Sequence, residues 1–374
     1  MTTFSHLDRG DYRLPADLSE KMLTPALTIH LPQVLHNINR MIEAVSGDAN
    51  RWRPHIKTTK IPQIYAMLCR AGIRNFKCAT TREAATLLQV FRELNIHEAD
   101  LLLAHPLLKS ELKRLYQIAK YYPETNLSVL CEDPGQAEHI DRSIGIFIDV
   151  NPGMNRSGVP LDDEQRILEI AQKSGDRFRG LHFYDGDIRD NDPMVRRQRA
   201  FDGYARLVCL VNELKEASFE CDEIVTSGTL TFLDAIAYSP FELLSGTSHR
   251  ISPGTVIFHD VRSQNAIPDL DLRPAALLRA RVVSQPAKNI VTCNAGSKSI
   301  AAESGDPCCV VLGDSTLTAL HPSEEHLPFN FTSNCPERGA ILSLIPMHVC
   351  PTVNLAEQAI LIDEDGAYCV AEVK

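Results

Sequence analysis

The stretch that decides the fold is NFKCATTREAATLLQVFRELNIHEADLLLAH, which occupies residues 75–105. It contains two β-like runs, Asn75–Thr80 and Asp100–His105, on either side of an amphipathic, helix-length segment, Arg82–Leu94. Because a strand, a helix and a second strand follow one another within about thirty residues, the stretch predicts a βαβ unit with parallel strands.

The same alternation extends in both directions from this unit. Further β-like runs are Trp52–Lys57, Asn126–Cys131, Ile144–Val150, Phe178–Tyr184, Glu223–Ser227 and Ser252–Phe258. Eight strands that alternate with helices over ~200 residues predict an α/β fold, the (β/α)8 TIM barrel. A doubly wound open sheet is the alternative, since the strand count alone does not separate the two.

The sequence pattern changes after about Asp260, where helix-length segments nearly disappear. Runs such as Cys309-Val-Val-Leu and Ala340-Ile-Leu-Ser-Leu are β-rich and are interrupted by Gly, Pro and Asp rather than by helical patterns. We therefore expect a barrel domain over residues 20–258 and an all-β C-terminal domain over residues 259–374. Residues 1–19 form a segment that could pack on the second domain.

Composition limits the classes of function. The chain has 374 residues, 44% hydrophobic and 23% charged, which excludes a largely disordered protein. The net charge of −10, without a basic stripe, argues against nucleic acid as a partner. The sequence has neither an apolar run of ~18 residues nor a signal-peptide layout at its start, so we expect no membrane association and a cytoplasmic location. The 11 cysteines form no CxxC and several lie in apolar runs, which predicts reduced thiols.

A barrel places its active site at the carboxyl ends of its strands, where three side chains stand out. Lys57 leaves the first predicted strand and could attack a carbonyl to form a Schiff base, or be an ordinary loop lysine. Arg156, in the loop after the fifth strand, could hold a phenolate, carboxylate or ring nitrogen, or form a helix-start salt bridge. Tyr184 shares a strand face with His182, and either could be a ring partner, an acid or base, or packing.

Two further sets of residues suggest ligand binding. Turns of glycine and hydroxyl residues end the last two predicted strands, as a phosphate site in this fold requires: Ser227, Gly228 and Thr229, then Gly254 and Thr255. In the β domain, His348 and Cys350 would project to one face if they lay on a strand, and imidazole with thiolate is a good zinc pair. A buried thiol beside an ordinary histidine is the alternative interpretation.

Several motifs occur in one order over roughly residues 20–360. They are Arg53-Pro-His-Ile-Lys57-Thr, Gly153-Met-Asn-Arg156-Ser-Gly, Ser227-Gly-Thr, Ser252-Pro-Gly-Thr255, Ala295-Gly-Ser-Lys298 and Pro346-Met-His348-Val-Cys350-Pro-Thr-Val-Asn. This order resembles the D-threonine aldolase and D-serine dehydratase group of fold-type III pyridoxal-phosphate enzymes. The resemblance implies an alanine-racemase-like barrel followed by a β domain, and a homodimer.

The resemblance also implies roles for individual residues. Lys57 would be the Schiff-base lysine, Arg156 would contact the pyridine ring and Tyr184 would line the cofactor pocket. The two glycine turns would hold the phosphate. His348 and Cys350 would bind a divalent metal, zinc or manganese, beside the cofactor, so that the catalytic residues would be Lys57, His348 and Cys350.

The implied activity is that of a metal-assisted lyase on D-3-hydroxy amino acids. The expected reaction is D-threonine aldolase-like cleavage to glycine and an aldehyde. D-Serine dehydratase-like elimination to a 2-oxo acid and ammonia is the alternative. An amino-acid racemase and a non-catalytic pyridoxal-phosphate carrier are more distant alternatives. The racemase needs two acid–base groups and gives no role to a metal pair, and such carriers lack a β domain.

The chain departs from the group's pattern at three positions. Thr59 and Asp187 replace histidines near the barrel mouth, and Asn294 replaces an aspartate in the β domain. The two missing imidazoles put the usual proton-transfer assignment in doubt. His321 and His326 could compensate or could be loop histidines.

Overall fold

A computed structural model of the chain describes residues 4, 7 and 9–374, so residues 1–3, 5, 6 and 8 of the predicted N-terminal segment lie outside the described residues. The contacts divide the chain into two compact units. The barrel unit holds Met41–Lys57 and Tyr65–Gly254. The β unit holds the described residues up to Arg40, together with Thr58–Ile64 and Thr255–Lys374. The predicted boundary at 258 and 259 stays a prediction.

Helices and strands alternate through the first two thirds of the chain. The helices are α1 (Ala16–Lys21), α2 (Leu31–Ala44), α3 (Pro62–Arg70), α4 (Thr81–Glu93), α5 (Lys109–Tyr121), α6 (Pro134–His139), α7 (Glu164–Ser174), α8 (Pro193–Glu216), α9 (Phe232–Ala237), α10 (Val261–Ala266) and α11 (Val349–Leu355). The strands up to the end of the barrel unit are β1 (Ala26–His30), β2 (Asn75–Cys78), β3 (Asp100–Pro106), β4 (Asn126–Cys131), β5 (Gly145–Asn151), β6 (Val159–Pro160), β7 (Phe178–Phe183), β8 (Glu223–Thr226) and β9 (Ser248–Ile251). The remaining strands are β10 (Ala276–Ala287), β11 (Ile290–Cys293), β12 (Cys309–Val311), β13 (Leu317–Ala319), β14 (Leu327–Phe331), β15 (Ile341–Pro346), β16 (Gln358–Ile362) and β17 (Tyr368–Glu372).

The barrel unit is built on a parallel sheet with the order β2-β3-β4-β5-β7-β8-β9, and the short β6 pairs with β5. The residues from Trp52 to His55 form the closing segment, which completes this sheet. Trp52 bridges to Ile251 of β9, and His55 bridges to Lys77 of β2, both in parallel. Because one segment pairs with the first and the last strand, the sheet curls into a TIM-like barrel. The predicted α/β barrel is confirmed, and the open-sheet alternative does not apply.

Two predicted strands were wrong in detail. The segment Trp52–Lys57 makes single bridges rather than a strand, and the last strand is Ser248–Ile251, after which Thr255–Ile257 form a 3-10 helix. Proline explains both differences, because Pro54 and Pro253 have no N–H to donate to a ladder. The neighbours of Pro54 still pair: the Arg53 N–H donates to the Ile251 carbonyl at 2.9 Å, and Pro54 O accepts from Lys77 N–H at 3.0 Å.

Local sequence explains the helix that follows β2. Thr80 caps α4 by accepting the N–H of Glu83 at 3.1 Å, while the Glu83 carboxylate accepts the N–H of Ala79 at 2.8 Å. This reciprocal arrangement is the capping-box chemistry of Thr-x-x-Glu. The buried face of the helix includes Leu87, Leu88 and Phe91, at the spacing of an amphipathic helix.

A buried ion-pair network occupies one end of the barrel interior. The fully buried Arg53 guanidinium donates to both carboxylate oxygens of Glu223, at 2.7 and 2.6 Å, and to Asp100 at 2.7 Å. Arg250 adds a second cation 2.6 Å from Glu223. Asp100 and Glu223 begin β3 and β8, so the network lies at the amino ends of the strands, away from the mouth. It therefore ties the closing segment to the sheet and reads as a structural feature of the fold.

The β unit is built on an antiparallel barrel. Strands β10, β11, β14, β13, β12 and β15 pair in a closed ring, and β1, β16 and β17 extend the sheet from β10. Its buried core includes Val291, Phe329 and Leu344. The predicted all-β C-terminal domain is confirmed. The segment Ala26–His30, which we expected within the barrel domain, pairs instead in this sheet, antiparallel to β10 and parallel to β16.

Two expectations about composition can be compared with the fold. Within the described residues no helix is both long and apolar enough to cross a bilayer. All 11 cysteines are unpaired thiols, and most of them are buried. Burial raises the pKa of Cys69, Cys221 and Cys293 to about 12 in each case, so these thiols are inert core residues.

Candidate active site

Lys57 lies where the closing segment leaves the barrel. Its side chain is exposed, and its backbone N–H donates to Nδ1 of His55 at 3.4 Å. The preceding residue, Ile56, donates its N–H to the Lys77 carbonyl at 2.8 Å, which ties the loop to β2. An accessible amine at the carboxyl-terminal face of a barrel has the position that a carbonyl nucleophile requires.

Arg156 and Tyr184 contact each other after β5 and β7. The guanidinium carbon lies 4.6 Å from the centroid of the Tyr184 ring, within the range of a cation–π contact. The loop that carries Arg156 is folded by Asn151, whose side-chain oxygen accepts the N–H groups of Gly153 and Asn155, each at 3.0 Å. The two predicted cofactor-binding residues are therefore brought together on one side of the barrel mouth.

The two glycine turns are tightly packed. A Cβ at Gly254 would lie 2.2 Å from the His55 carbonyl oxygen, and one at Gly228 would lie 2.9 Å from the Tyr184 ring. Ser227 has a positive φ of 63° and donates its hydroxyl to the Thr226 carbonyl at 2.8 Å, while Thr229 follows in a half-buried position. Backbone N–H groups in such turns can approach an anion closely, so these residues fit a phosphate cradle.

A polar chain that the sequence did not predict runs through the barrel interior. The Lys77 amine lies 3.3 Å from Nε2 of His182, and Nδ1 of the same ring lies 2.7 Å from Asp149. Ser157 donates its hydroxyl to the other oxygen of Asp149 at 2.8 Å. Lys77 and His182 are each only 2% exposed. The sequence had singled out His182 alone, and the available signal for Lys77 was a lysine within an apolar strand.

Burial determines the charge of this chain. It lowers the pKa of Lys77 well below the ordinary value, and the charges of Lys57 and Arg156 lower it further. Burial, followed by the charge of Lys77, also lowers the pKa of His182, although Asp149 opposes the shift. Burial acts to raise the pKa of Asp149, but the hydrogen bonds from His182 and Ser157 outweigh it and leave the pKa below its usual range. The surroundings thus favour the charged form of the carboxylate and disfavour the charged forms of Lys77 and His182.

These surroundings fit pyridoxal phosphate. Lys57, Lys77 and Arg156 form no ion pair with a carboxylate among the residues that the structure describes, and the nearby Asp149 is already bonded to His182. Together they leave an excess of basic groups at the mouth, and the two glycine turns follow β8 and β9, where a phosphate site of this fold is expected. A cofactor with a phosphate and a phenolate would supply the missing negative charge.

His348 and Cys350 are brought together in the β unit, although not on a strand as we predicted. β15 ends at Pro346, His348 occupies the N-cap position of α11, and Cys350 lies in the first turn of that helix. Because Pro351 has no N–H to pair in a ladder and is well suited to the first turn of a helix, the chain turns into a helix there. The Asp260 carboxylate holds this start by accepting the Val349 N–H at 3.0 Å.

The His348–Cys350 pair is held by several polar contacts. Thr58 and Thr255 place their hydroxyls 3.1 and 3.3 Å from the Cys350 sulfur. Burial acts to raise the pKa of Cys350, but hydrogen bonds, first from His348, outweigh it and lower the pKa. Burial acts to lower the pKa of His348, but Cys350 and Glu303 outweigh it and raise the pKa. The pair therefore tends toward thiolate and imidazolium.

This donor set fits a divalent metal with open coordination positions. Glu303 lies 2.6 Å from Nδ1 of His348, the carboxylate contact that commonly orients a metal-binding histidine. The described residues contain no group of three or more histidine, cysteine or carboxylate side chains suited to a metal ion. Two ligands from the protein would leave the remaining positions to water or substrate, as in a reactive rather than a structural site.

The remaining candidate residues have local roles. His321 is 81% exposed and pairs with Asp306 at 3.0 Å, and His326 is exposed. Asp187 pairs with Arg199 at 3.3 Å. The Asn294 amide donates to the Thr24 carbonyl at 2.7 Å and its oxygen accepts the Arg281 N–H at 2.7 Å, so its role is to link strand ends. Thr59 is buried.

The fold and these sites define a class of protein, an alanine-racemase-like barrel with an attached β domain. The pattern described as "Alanine racemase, N-terminal domain" matches residues 29–259, more than half of the chain, and the chain belongs to this family. A second pattern, described as "Putative serine dehydratase domain", matches residues 275–362. The predicted family and fold class are confirmed.

Relatives agree with this assignment. The chain is 27% identical over 363 residues to a D-threonine aldolase from Arthrobacter sp, an alignment that covers 94% of this chain and 92% of the relative. It is 26% identical over 251 residues to the D-threo-3-hydroxyaspartate dehydratase of Delftia sp. strain HT23, covering 65% and 63% of the two chains. A D-threonine aldolase structure from Filomicrobium marinum shares the fold, with a TM-score of 0.81 and 24% identity over 95% of this chain and 96% of that one. The predicted enzyme class, a pyridoxal-phosphate-dependent lyase, is confirmed.

Proposed function

We propose that this chain is a pyridoxal-phosphate- and metal-dependent lyase of D-3-hydroxy amino acids, and that it cleaves them to glycine and an aldehyde in the manner of a D-threonine aldolase. The proposal that a metal assists the reaction depends on the His348–Cys350 pair. The pKa of the Cys350 thiol is lowered, and the Glu303 carboxylate contacts the His348 imidazole. The similarity to an aldolase over 94% of the chain supports the choice of reaction.

Each group of residues has a defined task in this proposal. Bound pyridoxal phosphate would withdraw electrons from Cα of the amino acid, and the protein would orient the bond that breaks. Lys57 supplies the amine that holds the cofactor and can move a proton. Arg156 and Tyr184 position the ring, and the turns at Ser227, Gly228, Thr229, Gly254 and Thr255 receive the phosphate. His348 and Cys350 would hold a metal, zinc or manganese, that binds the substrate's β-oxygen as a Lewis acid.

A second candidate reaction is elimination of the β-hydroxyl to give a 2-oxo acid and ammonia. The His-x-Cys pair favours it, because a zinc-friendly donor set suits a Lewis acid that assists loss of hydroxide. Solved structures of the Delftia dehydratase include one described as a histidine-to-alanine variant, and another described as metal-free in which a cysteine two positions further on is replaced by alanine. His348 and Cys350 have the same spacing.

One substrate separates these reactions. The purified protein is incubated with D-threonine, pyridoxal phosphate and either Mn²⁺ or Zn²⁺, and the products are identified by mass spectrometry. Glycine with acetaldehyde supports the aldolase, and 2-oxobutanoate with ammonia supports the second candidate. Inversion at Cα with an intact skeleton would show a racemase instead. Bound cofactor without turnover of D-threonine would point to a carrier or to another substrate.

Lys57→Ala is the matched variant for this assay, and the exposed Lys113→Ala on α5 is its control. Borohydride reduction should attach the cofactor to a peptide containing Lys57 in the parent and in Lys113→Ala. Loss of that adduct only in Lys57→Ala is the expected result, whereas an adduct on another lysine would overturn the assignment of Lys57.

We also propose that the enzyme is a homodimer. Light scattering after size-exclusion chromatography should then give twice the chain mass of 41.6 kDa. A single-chain mass under assay conditions would contradict this proposal and leave the assignment of the reaction intact.

A further inference from the structure

The buried lysine of β2 has no role in the function proposed above. Lys77 lies on the inner side of the barrel, with its amine 3.3 Å from His182 and 5.8 Å from the centroid of the Tyr184 ring. The Arg156 guanidinium approaches the same ring, at 4.6 Å. Two basic side chains therefore converge on one aromatic ring, next to the place where the cofactor would bind.

Nothing in the described part of the chain neutralises these two groups by a direct ion pair. The basic side chains at the other end of the barrel differ in this respect, since Arg53 bonds to Glu223 and Asp100. The carboxylate nearest to Lys77, Asp149, is engaged by His182 and Ser157. Among the described residues, Lys77 is buried without a counter-ion and Arg156 is exposed beside it, so an anionic ligand bound here would face both basic groups.

We propose that Lys77 is a cofactor-binding residue: its amine, oriented by His182 and Asp149, forms an ion pair with the anionic ring oxygen of bound pyridoxal phosphate. This inference rests on the proposed function, because it takes the cofactor site as given. The ring oxygen is preferred to the phosphate because the glycine turns that suit a phosphate follow β8 and β9, whereas Lys77 reaches toward His182 and Asp149 of β7 and β5.

The hydrogen-bonded series from Asp149 through His182 to Lys77 explains how the Lys77 amine is positioned. Asp149 accepts from one ring nitrogen of His182, which fixes the imidazole and directs its other nitrogen to Lys77. The charged and titratable groups around the amine are Lys57, Arg53, Arg156, Asp149, His182, His55 and Tyr184. Burial and three cations hold the pKa of Lys77 down, so an anion bound beside the amine would favour its protonated form and draw a proton from the solvent.

Proton uptake on ligand binding tests this proposal without any measurement of turnover. The probe is pyridoxine 5′-phosphate, which has the ring oxygen and the phosphate but no aldehyde, so it cannot react with Lys57. Calorimetric titrations at pH 8 in buffers of different ionisation enthalpy give the number of protons taken up. The variants are Lys77→Met, which keeps the aliphatic stem, and the exposed Lys120→Met on α5 as a matched control.

The parent protein and Lys120→Met should take up more protons on binding the probe than Lys77→Met does. Loss of the ion pair should weaken probe binding about tenfold in Lys77→Met. Equal proton uptake and equal affinity in all three proteins would overturn the role of Lys77 while leaving the cofactor site intact. Failure of the parent protein to bind the probe would overturn the cofactor site itself, and with it this proposal.

Two further titrations test whether the proton uptake depends on the ring oxygen and whether His182 positions the amine. Inorganic phosphate alone should show no uptake that depends on Lys77, and such uptake would overturn the assignment to the ring oxygen. His182→Gln should keep the proton uptake but weaken probe binding about threefold, because the amine loses its orientation. Unchanged affinity in His182→Gln would contradict the positioning role. Circular dichroism and thermal melting show whether Lys77→Met is folded, and His182→Gln supplies the test if it is not.

Discussion

At the scale of the residue, reactivity in this protein depends on a few contacts that change the state of a side chain. Cys350 illustrates this, since a half-buried thiol would ordinarily be inert. Hydrogen bonds from His348, Thr255 and Thr58 reverse the effect of burial on its pKa. Cys293 lacks such hydrogen bonds among the causes of its shift, and burial raises its pKa to about 12.

Replacement of the thiol should therefore remove the metal. We expect Cys350→Ala to lower the affinity for Zn²⁺ by at least about tenfold, because one of two protein ligands is lost. Metal content is measured by mass spectrometry after dialysis against a competing chelator. Cys369→Ala, at an exposed thiol on β17, is the matched control and should bind metal normally. Equal metal content in both variants would exclude Cys350 as a ligand.

At the scale of the element, the barrel depends on how the closing segment meets the strands around it. The segment brings Arg53 into the interior at the amino ends of the strands and Lys57 to the opposite end. The same short piece of chain thus carries a structural arginine and, four positions later, the proposed catalytic lysine.

Loss of Arg53 should destabilise the fold strongly. In Arg53→Met the carboxylates of Glu223 and Asp100 lose their main buried partner, which typically costs about 3–5 kcal/mol. Unfolding in urea, followed by circular dichroism, measures this change. Arg179→Met, at a partly exposed arginine that also pairs with Asp100, should cost about 1 kcal/mol or less. Similar losses in the two variants would show that the buried network does not stabilise the closing segment.

The glycine turn after β9 should tolerate no side chain. In Gly254→Ala a Cβ would stand 2.2 Å from the His55 carbonyl, so either the turn or the segment leading to Lys57 must move. We expect a loss of stability of about 1–3 kcal/mol and weaker binding of pyridoxal phosphate. Gly135→Ala, at the start of α6, meets only the end of an aspartate side chain and is the control. A Gly254→Ala variant that binds the cofactor normally would show that this turn does not form the phosphate cradle.

At the scale of the whole molecule, several buried histidines make folding sensitive to acid. Burial lowers the pKa of His30 and of His249 to about 3 in each case, and it lowers the pKa values of His55, His182 and His259 as well. In the unfolded chain these imidazoles have the ordinary pKa of about 6.5. The unfolded state therefore binds more protons between these values, which favours unfolding as the pH falls.

The free energy of unfolding should be nearly constant above about pH 6.5 and should fall below it. Each histidine with a folded pKa of about 3 contributes about 1.4 kcal/mol of loss per pH unit within this window. Thermal melting between pH 7.5 and pH 4.5 measures the effect. His249→Phe, which keeps a ring against Phe241, should flatten the curve, and the exposed His326→Phe should leave it unchanged. An identical slope in His249→Phe would contradict the assignment.

The sequence by itself determined the architecture and the candidate residues of the active site. Alternation of β-like runs with amphipathic segments predicted the barrel, because strand and helix periodicities are local properties of the chain. It also singled out Lys57, Arg156, Tyr184 and the glycine turns. The change from alternating strands and helices to β-rich runs after Asp260 predicted the β domain.

Only the tertiary structure decided how distant residues meet. The placement of Ala26–His30 in the second sheet, the single bridges made by the segment around Pro54, and the short helix at His348 all depend on partners far away in the chain. The chain of Lys77, His182 and Asp149 is the clearest case, because its members come from three different strands. A sequence pattern records which face a residue occupies along its own element, but side-chain contacts across a barrel depend on packing in three dimensions.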